Sequence, residues 1–254
     1  MTSKVLMCRP TFYGVDYSIN PWMKDNIGKV DNKIANEQWE ALYQAISKVA
    51  EVFLIDGVSG LPDMVFAANA GKVMGNTFYP SVFAHKERQP ETNHWVKYFV
   101  ERVFNIRWPD YTFEGEGDYL LTSNGWTWAG YGFRSKHEAV GSNFRFELND
   151  PRFYHLDTCF CPLPDKNLLW YPPACANASK ESIAFSFNKI IEASEEDALN
   201  FACNAVCIGN NIFLPKNTSV TPQLEALGYT VHEFDMSEFI KSGGACKCLV
   251  LYLD

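Results

Sequence analysis

The chain has 254 residues, 47% of them hydrophobic and 15% aromatic, which supports a substantial buried core in one large or two small domains and excludes a disordered chain. Its 22 basic residues against 30 acidic ones leave a net charge of -8, with no basic run able to track a phosphate backbone, so no nucleic-acid partner is expected. The opening MTSKVLMCRP lacks a signal-peptide core, and no apolar run reaches the roughly 18 residues a membrane span requires.

A soluble, cytoplasmic protein without a membrane partner is therefore expected. In a reducing compartment its eight cysteines read as free thiols rather than a disulfide framework. The sequons Asn177-Ala-Ser179 and Asn217-Thr-Ser219 then carry no weight.

In chain order, KVLMC (4–8) is a first apolar strand. NEQWEALYQAISKVA (36–50) places Trp39, Leu42, Ile46 and Val49 on one helical face behind an Asn36 cap. MVFAANAGKVMGNTFYPS reads as a hairpin turning at Gly75-Asn76, and Val96, Phe99, Val100 and Val103 form the face of a second helix. DYLLTSNGWTWAGYG carries Asn124-Gly125, the pair that best tolerates the positive φ of a type I′ turn. DTCFCPLPDKNLLWYPP turns at Asp165 to Asn167, and NAVCIGNNIFLP at Gly209-Asn210; SEEDALNFA and TPQLEALG are short helices between and after them. The closing CKCLVLYL finds its partner in KVLMC, making a fifth unit closed by the two termini.

The hairpin turns recur about every forty to fifty residues, which predicts strand-strand-helix-strand units around an axis. The first strand of each hairpin should then deliver polar residues to the centre: Asn69, Glu114 with Asp118, His155 with Asp157, Asn204, and Cys248. A thiol, an imidazole and several carboxylates are the parts of a cysteine hydrolase acting on a cation.

At these residues the sequence resembles a known family. The blocks MCRPTFYGVDYSINPWM (7–23), LPDMVFAANAG (61–71), HKERQ (85–89), FEGEGDYLL (113–121), WAGYGFRS (128–135), FYHLDTCFCPL (153–163), NFACNAV (200–206) and SGGACKCL (242–249) resemble the guanidino-group modifying enzymes. Among these the arginine dihydrolases, or arginine guanidinases, are most similar; arginine deiminases, amidinotransferases and dimethylargininases are their kin.

The resemblance implies an α/β pentein propeller of five pseudo-symmetric ββαβ-type units around a central active site, a single catalytic domain over 1–254, and neither cofactor nor metal. It implies L-arginine as the small-molecule substrate and leaves a homo-oligomer open. Cys248 corresponds to the nucleophile that forms a covalent thiouronium, and His155 to the general acid and base. Glu114 and Asp157 correspond to carboxylates that clamp the guanidinium or assist the histidine, and Asp118 closes the same acidic motif. Arg88 and Arg134 correspond to arginines that grip the substrate α-carboxylate, a task suited to a planar fork. Asn20 and Asn69 correspond to the asparagines that set dihydrolases apart from relatives with aspartate at the second position. An amide at 69 both donates and accepts, so it suits a neutral ureido group as well as a guanidinium.

The expected reaction gives ornithine, carbon dioxide and two ammonia; a deiminase stopping at citrulline, or a hydrolase of methylated arginines, is the alternative. Some dihydrolases carry a further C-terminal module, so this chain is expected to be either a stand-alone form or a piece of a longer protein.

Two features depart from the family pattern. Cys246 precedes the nucleophile by two residues and, in a strand, would share its face. Glu116 adds a charge two residues from Asp118, which like-charge repulsion would push up. Two other classes remain: a zinc protein built on the pairs Cys159/Cys161, Cys203/Cys207 and Cys246/Cys248, and a non-catalytic binding protein. The zinc reading suffers from the single-residue spacing of two pairs, and the binding reading from the retention of Cys248, His155 and the carboxylates.

Overall fold

The structure, a computed structural model, describes residues 2–139, 141–176 and 180–253, with the backbone alone for 180–182. The Asn177-Ala-Ser179 sequon lies outside the described residues. Strand β1 (Lys4–Cys8) is followed by helix α1 (Asn32–Ile46) and β2 (Glu51–Ile55). A hairpin of β3 (Gly71–Met74) and β4 (Thr77–Pro80) leads into α2 (Glu91–Val100) and the short β5 (Asn105–Ile106). Next come β6 (Tyr119–Leu121), β7 (Thr127–Tyr131) and β8 (Phe144–Leu148), with no helix among the described residues between the last two. Then follow β9 (Phe160–Leu163), β10 (Asn167–Trp170), β11 (Cys175–Ala176), α3 (Lys180–Ser186) and β12 (Lys189–Glu192). Helix α4 (Glu195–Leu199) precedes β13 (Val206–Ile208), β14 (Asn211–Pro215), α5 (Thr221–Ala226) and β15 (Thr230–Phe234). Helix α6 (Ser237–Ile240) and β16 (Leu251–Tyr252) complete the order.

These strands form five small sheets built to one plan: a middle strand antiparallel to the strand before it and parallel to the one after. The triplets are β3-β4-β5, β6-β7-β8, β9-β10-β12, β13-β14-β15 and β16-β1-β2. The last joins the two ends of the chain, with Val5 opposite Tyr252 and Leu6 opposite Leu251. Strand β11 extends the second sheet by pairing with β8. The helices cover the apolar faces of these sheets: Trp39, Leu42 and Ile46 of α1 join one core with Val5 and Met7, and Trp95 and Phe99 of α2 pack with Phe78 in another. Each such fully buried large side chain contributes about 1.5–3 kcal/mol by leaving water. Among the described residues, no helix is long and apolar enough to cross a membrane.

The expected hairpins and helices are present, with local corrections. Helix α1 starts four residues before Asn36, because Asp31 caps it by accepting from the amides of Lys33 and Ile34, and Val49 falls beyond its end. In α2 the buried face is Trp95 and Phe99; Val100 and Val103 are exposed, and Val103 sits past the helix at φ 64°. Asn124-Gly125 is not a two-residue turn but the tip of a five-residue loop closed by Thr122 and Trp126, with positive φ at Gly125 alone. Successive positive φ values occur instead at Asp165 and Lys166.

Candidate active site

The central polar residues do not stand on the first strands of the hairpins, as expected, but on single 3₁₀ turns that immediately precede them. Asn69 lies in Ala67–Ala70; Glu114 and Asp118 flank Gly115–Gly117; His155 caps Leu156–Thr158, which contains Asp157; and Cys248 lies in Lys247–Leu249. In the fourth unit, Asn204 ends a tight turn from Phe201. The first turn packs against the second and the fifth, and the second against the third. Asn204 closes the ring by donating to Asp157 O at 3.1 Å and to Cys248 Sγ at 3.2 Å. A turn suits this task better than a strand, because it aims a side chain along the axis while the strand that follows carries the sheet away from it.

Two glycines in Glu114-Gly115-Glu116-Gly117-Asp118 allow the turns to meet. Gly115 has φ +61°, and a Cβ there would lie 2.6 Å from the Gly71 carbonyl oxygen. A Cβ on Gly117 would lie 2.6 Å from Asn69 Nδ2 and 3.0 Å from the His155 ring, so amide and imidazole share one small space.

All the acid, base and thiol groups are buried: Glu114 is 0% exposed, His155, Asp118 and Asp157 1%, and Cys248 2%. Glu114 Oε2 holds His155 Nε2 at 2.8 Å and accepts from Arg134 Nη1 at 3.1 Å, while Oε1 accepts from the Ala84 amide. Burial alone would raise its pKa, but Arg134 and His155 outweigh it and hold the carboxyl well below the usual range. An ionised Glu114 can only accept, so Nε2 carries a proton.

Asp118 takes the opposite course, pushed up to about 6 by burial, with Glu114 adding to the rise. Glu116, the expected cause, faces away and is itself held ionised by Lys72 and Lys247, with Lys247 Nζ at 2.9 Å.

Cys248 Sγ donates to Asp157 Oδ2 at 3.5 Å. Burial raises both groups, the thiol well above its ordinary value and Asp157 to about 7. Asn204 Oδ1 also accepts from the amides of Ala245 and Cys248, so one buried side chain fixes both the Cys248 turn and its sulfur. Cys246 does not share a strand face with Cys248: residues 246–249 are helical in backbone, and Cys246 packs as a buried thiol in the core beneath α1. The close thiol pairs are Cys159 with Cys175 at 3.9 Å and Cys161 with Cys207 at 3.8 Å, not the pairs read from spacing. Among the described residues no cluster of three or more His, Cys, Asp or Glu could hold a metal.

The other residues chosen from the sequence converge on the same centre. Arg88 is not a solvated residue but buried, forked onto Glu91 through Nε and Nη2 and donating from Nη1 to Asn69 Oδ1 at 2.9 Å. Arg134 also donates to the Ile19 carbonyl and lies over the Tyr154 ring. Asn20 caps the turn at Trp22 and Met23 and ties it to Ser242 O, next to the Cys248 segment. Asn204, placed at the centre by sequence but given no task there, is the residue that ties Asp157 to Cys248. Asp63, inside the block 61–71 but not singled out, lies in the 3₁₀ turn Pro62–Val65, buried beside Arg88 and bonded by Tyr17.

Five like sheets around a buried thiol, imidazole and carboxylates define a centre of the pentein class. No family model matches the chain. The chain is 46% identical over 263 residues to the bifunctional arginine dihydrolase/ornithine cyclodeaminase ArgZ of Synechocystis, covering 98% of this chain and 37% of that protein. It is 36% identical to the N(G),N(G)-dimethylarginine dimethylaminohydrolase of Mycobacterium tuberculosis, over 98% of this chain and 85% of that one. The crystal structure of the product-bound N-terminal domain of ArgZ superimposes with a TM-score of 0.96 at 43% identity, covering 100% of this chain and 98% of that domain. That domain has also been seen with substrate in a cysteine-to-serine mutant, and covalently bound to a reaction intermediate. The chain belongs to the family of guanidino-group hydrolases that contains the arginine dihydrolases and the dimethylarginine dimethylaminohydrolases.

Proposed function

We propose that residues 1–254 form one catalytic domain, a cysteine-dependent hydrolase that converts free L-arginine and two waters to ornithine, carbon dioxide and two ammonia, in the cytosol and without a cofactor. Cys248 is the nucleophile: its thiolate adds to the guanidinium carbon, and the incoming cation itself favours the thiolate against the burial that opposes it. His155, oriented by Glu114, gives a proton to the departing ammonia and takes one from the water that resolves the thiouronium. Asp157, Asp118 and Glu114 supply negative charge around the cation, while Arg88, Arg134 and Asn20 serve the amino-acid end.

The observation that carries the second hydrolysis is the state of Asn69. Its Oδ1 is anchored by Arg88, while its Nδ2, buried beside His155, has no hydrogen-bond partner among the described residues. A free donor at that point suits the carbonyl of a ureido group, which keeps citrulline in place for a second attack. Asn69→Asp removes the donor and is expected to turn the product from ornithine towards citrulline. Ornithine still dominating in that variant would overturn the reading.

The relationship to a dimethylarginine hydrolase supports a second reading, in which a methylated arginine is taken instead. Parallel incubations with arginine and with N,N-dimethylarginine, quantifying ornithine, citrulline and ammonia and using Cys248→Ser as the control, separate the two. Two ammonia per ornithine from arginine is the expected result.

A further inference from the structure

Behind the nucleophile turn lies a cavity of about 400 Å³, lined by Lys72, Glu116, Lys247, Cys207 and Tyr252 and by the start of β9. Of the residues assigned above to substrate and chemistry, only Asp157 lines it. Asp157 thus joins the lining of this cavity to the thiol of Cys248. Its Oδ2 accepts from Cys248 Sγ, and its Oδ1, on a side chain 1% exposed, has no hydrogen-bond partner among the described residues. A buried carboxylate oxygen without a donor is costly, and a water or an ammonium ion is the smallest group that would satisfy it. Among largely apolar walls, one polar group gives water partners: Glu116 bridges Lys72 and Lys247, and Lys247 also donates to Val250 O.

We propose that this cavity is a water and ammonium site serving the nucleophile from behind, through which hydrolytic water enters and ammonia leaves while the amino acid fills the other side. The proposal rests on the hydrolase reading above and deepens it. Each round consumes one water and releases one ammonia. In the first round the water oxygen bonds to the thiouronium carbon, its proton passes to His155, and the carbon–sulfur bond breaks with its electron pair returning to Cys248, which leaves citrulline. In the second the thiolate displaces ammonia from the ureido carbon to form a thiocarbamate, and water resolves that adduct in the same way to a carbamate that loses carbon dioxide and leaves ornithine. A substrate held for two rounds blocks its own mouth to both small molecules, so a dihydrolase has a particular need for a second opening. Asp157, brought by burial to about 7, is suited to hold water or ammonium at the junction.

The test is to fill the cavity. Cys207 is partly exposed, lines the cavity 3.8 Å from Cys161, and makes no contact with the substrate residues. Cys207→Phe is expected to form the covalent adduct at Cys248 within twofold of the parent rate, yet to lose about tenfold in kcat. The adduct, read by intact mass on quenched samples, should become the dominant species. A variant damaged in its fold would lose the adduct instead of accumulating it. If Cys207→Phe does not fold, Leu121→Trp, on a wall residue 51% exposed, decides: about a threefold fall in kcat with adduct accumulation is expected. Parent kcat and parent adduct level in the folded variant overturn the cavity while leaving the hydrolase reading intact. A parent that consumes no arginine sinks the hydrolase reading and the cavity with it.

Discussion

Glu114 and Glu116 are two residues apart in one turn, both buried and both held ionised, yet they work on opposite sides of the axis. Glu114 pairs with Arg134 and His155 on the side of Asn69, whereas Glu116 pairs with Lys72 and Lys247 on the side of the rear cavity. The first pair of contacts fixes an imidazole, the group proposed to move protons; the second holds three sheets together by a charge shared between lysines from two of them. The difference teaches that burial and ionisation alone do not mark a catalytic carboxylate. What marks Glu114 is that one of its partners is an imidazole, whose proton can leave.

The largest expected effect tests the side that Glu114 faces. Cys248→Ser should lower arginine turnover by at least on the order of 10⁴-fold, with no covalent adduct by intact mass, as for removal of a nucleophile that acts as a unit with its base. A serine variant that consumed arginine at the parent rate would end the assignment. Next, Glu114→Gln should cost about 10²–10⁴-fold in kcat, since the imidazole loses its anionic partner. Glu116→Gln should reverse the pattern: it leaves two buried ammonium groups with one neutral partner, costing about 3–5 kcal/mol of stability by denaturant titration, while kcat of the remaining folded enzyme changes far less. If both variants lost activity and stability in equal measure, the two sides would not be separate.

A smaller effect tests how closely the turns approach. Gly117→Ala would thrust a methyl against Asn69 Nδ2 and the His155 ring. It should lower kcat by about tenfold with little change in KM, because the reacting groups are displaced while the amino-acid end is not. An unchanged kcat would mean that the amide and the imidazole have room to spare.

Much of this was legible in the sequence. The five-unit plan follows from hairpin signals at even spacing, and the closing of the ring by KVLMC and CKCLVLYL follows from two apolar runs that each lacked a neighbour. Cys248, His155 and Glu114 were placed at the centre because their residue types fit one chemistry and recur at one place in each unit. What spacing could not give was the last step from strand to turn. A one-residue change in backbone type redirects every side chain, which is why Cys246, read as a neighbour of Cys248 on a strand, lies in the core instead. Glu116 was misread for the same reason: its partners Lys72 and Lys247 are distant in sequence and adjacent only after three sheets have met. Asp63 lies in the block LPDMVFAANAG but was not singled out, because a lone 3₁₀ turn carries no period.

The smallest expected effect separates the carboxylates by the sign of their dependence on pH. Asp157 is raised in the folded chain from 3.8 to about 7, chiefly by burial, with Lys247 opposing. A carboxyl raised on folding favours the folded state below its ordinary pKa, and that contribution is lost as pH rises through the folded value, here between about pH 4 and 7. Glu116 is lowered, with its two lysines overcoming burial, so its contribution is present above the ordinary glutamate range and lost as pH falls through its folded value. Thermal midpoints measured from pH 4 to 8 should therefore fall less steeply with rising pH in Asp157→Asn than in the parent, by a few degrees across the window. Carried on below the ordinary glutamate value of 4.5, the same scan on Glu116→Gln should show a weaker decline towards acid than the parent. A parent slope retained by Asp157→Asn would show that this carboxyl titrates alike in folded and unfolded chains, and that its burial beside the thiol leaves its proton unaffected.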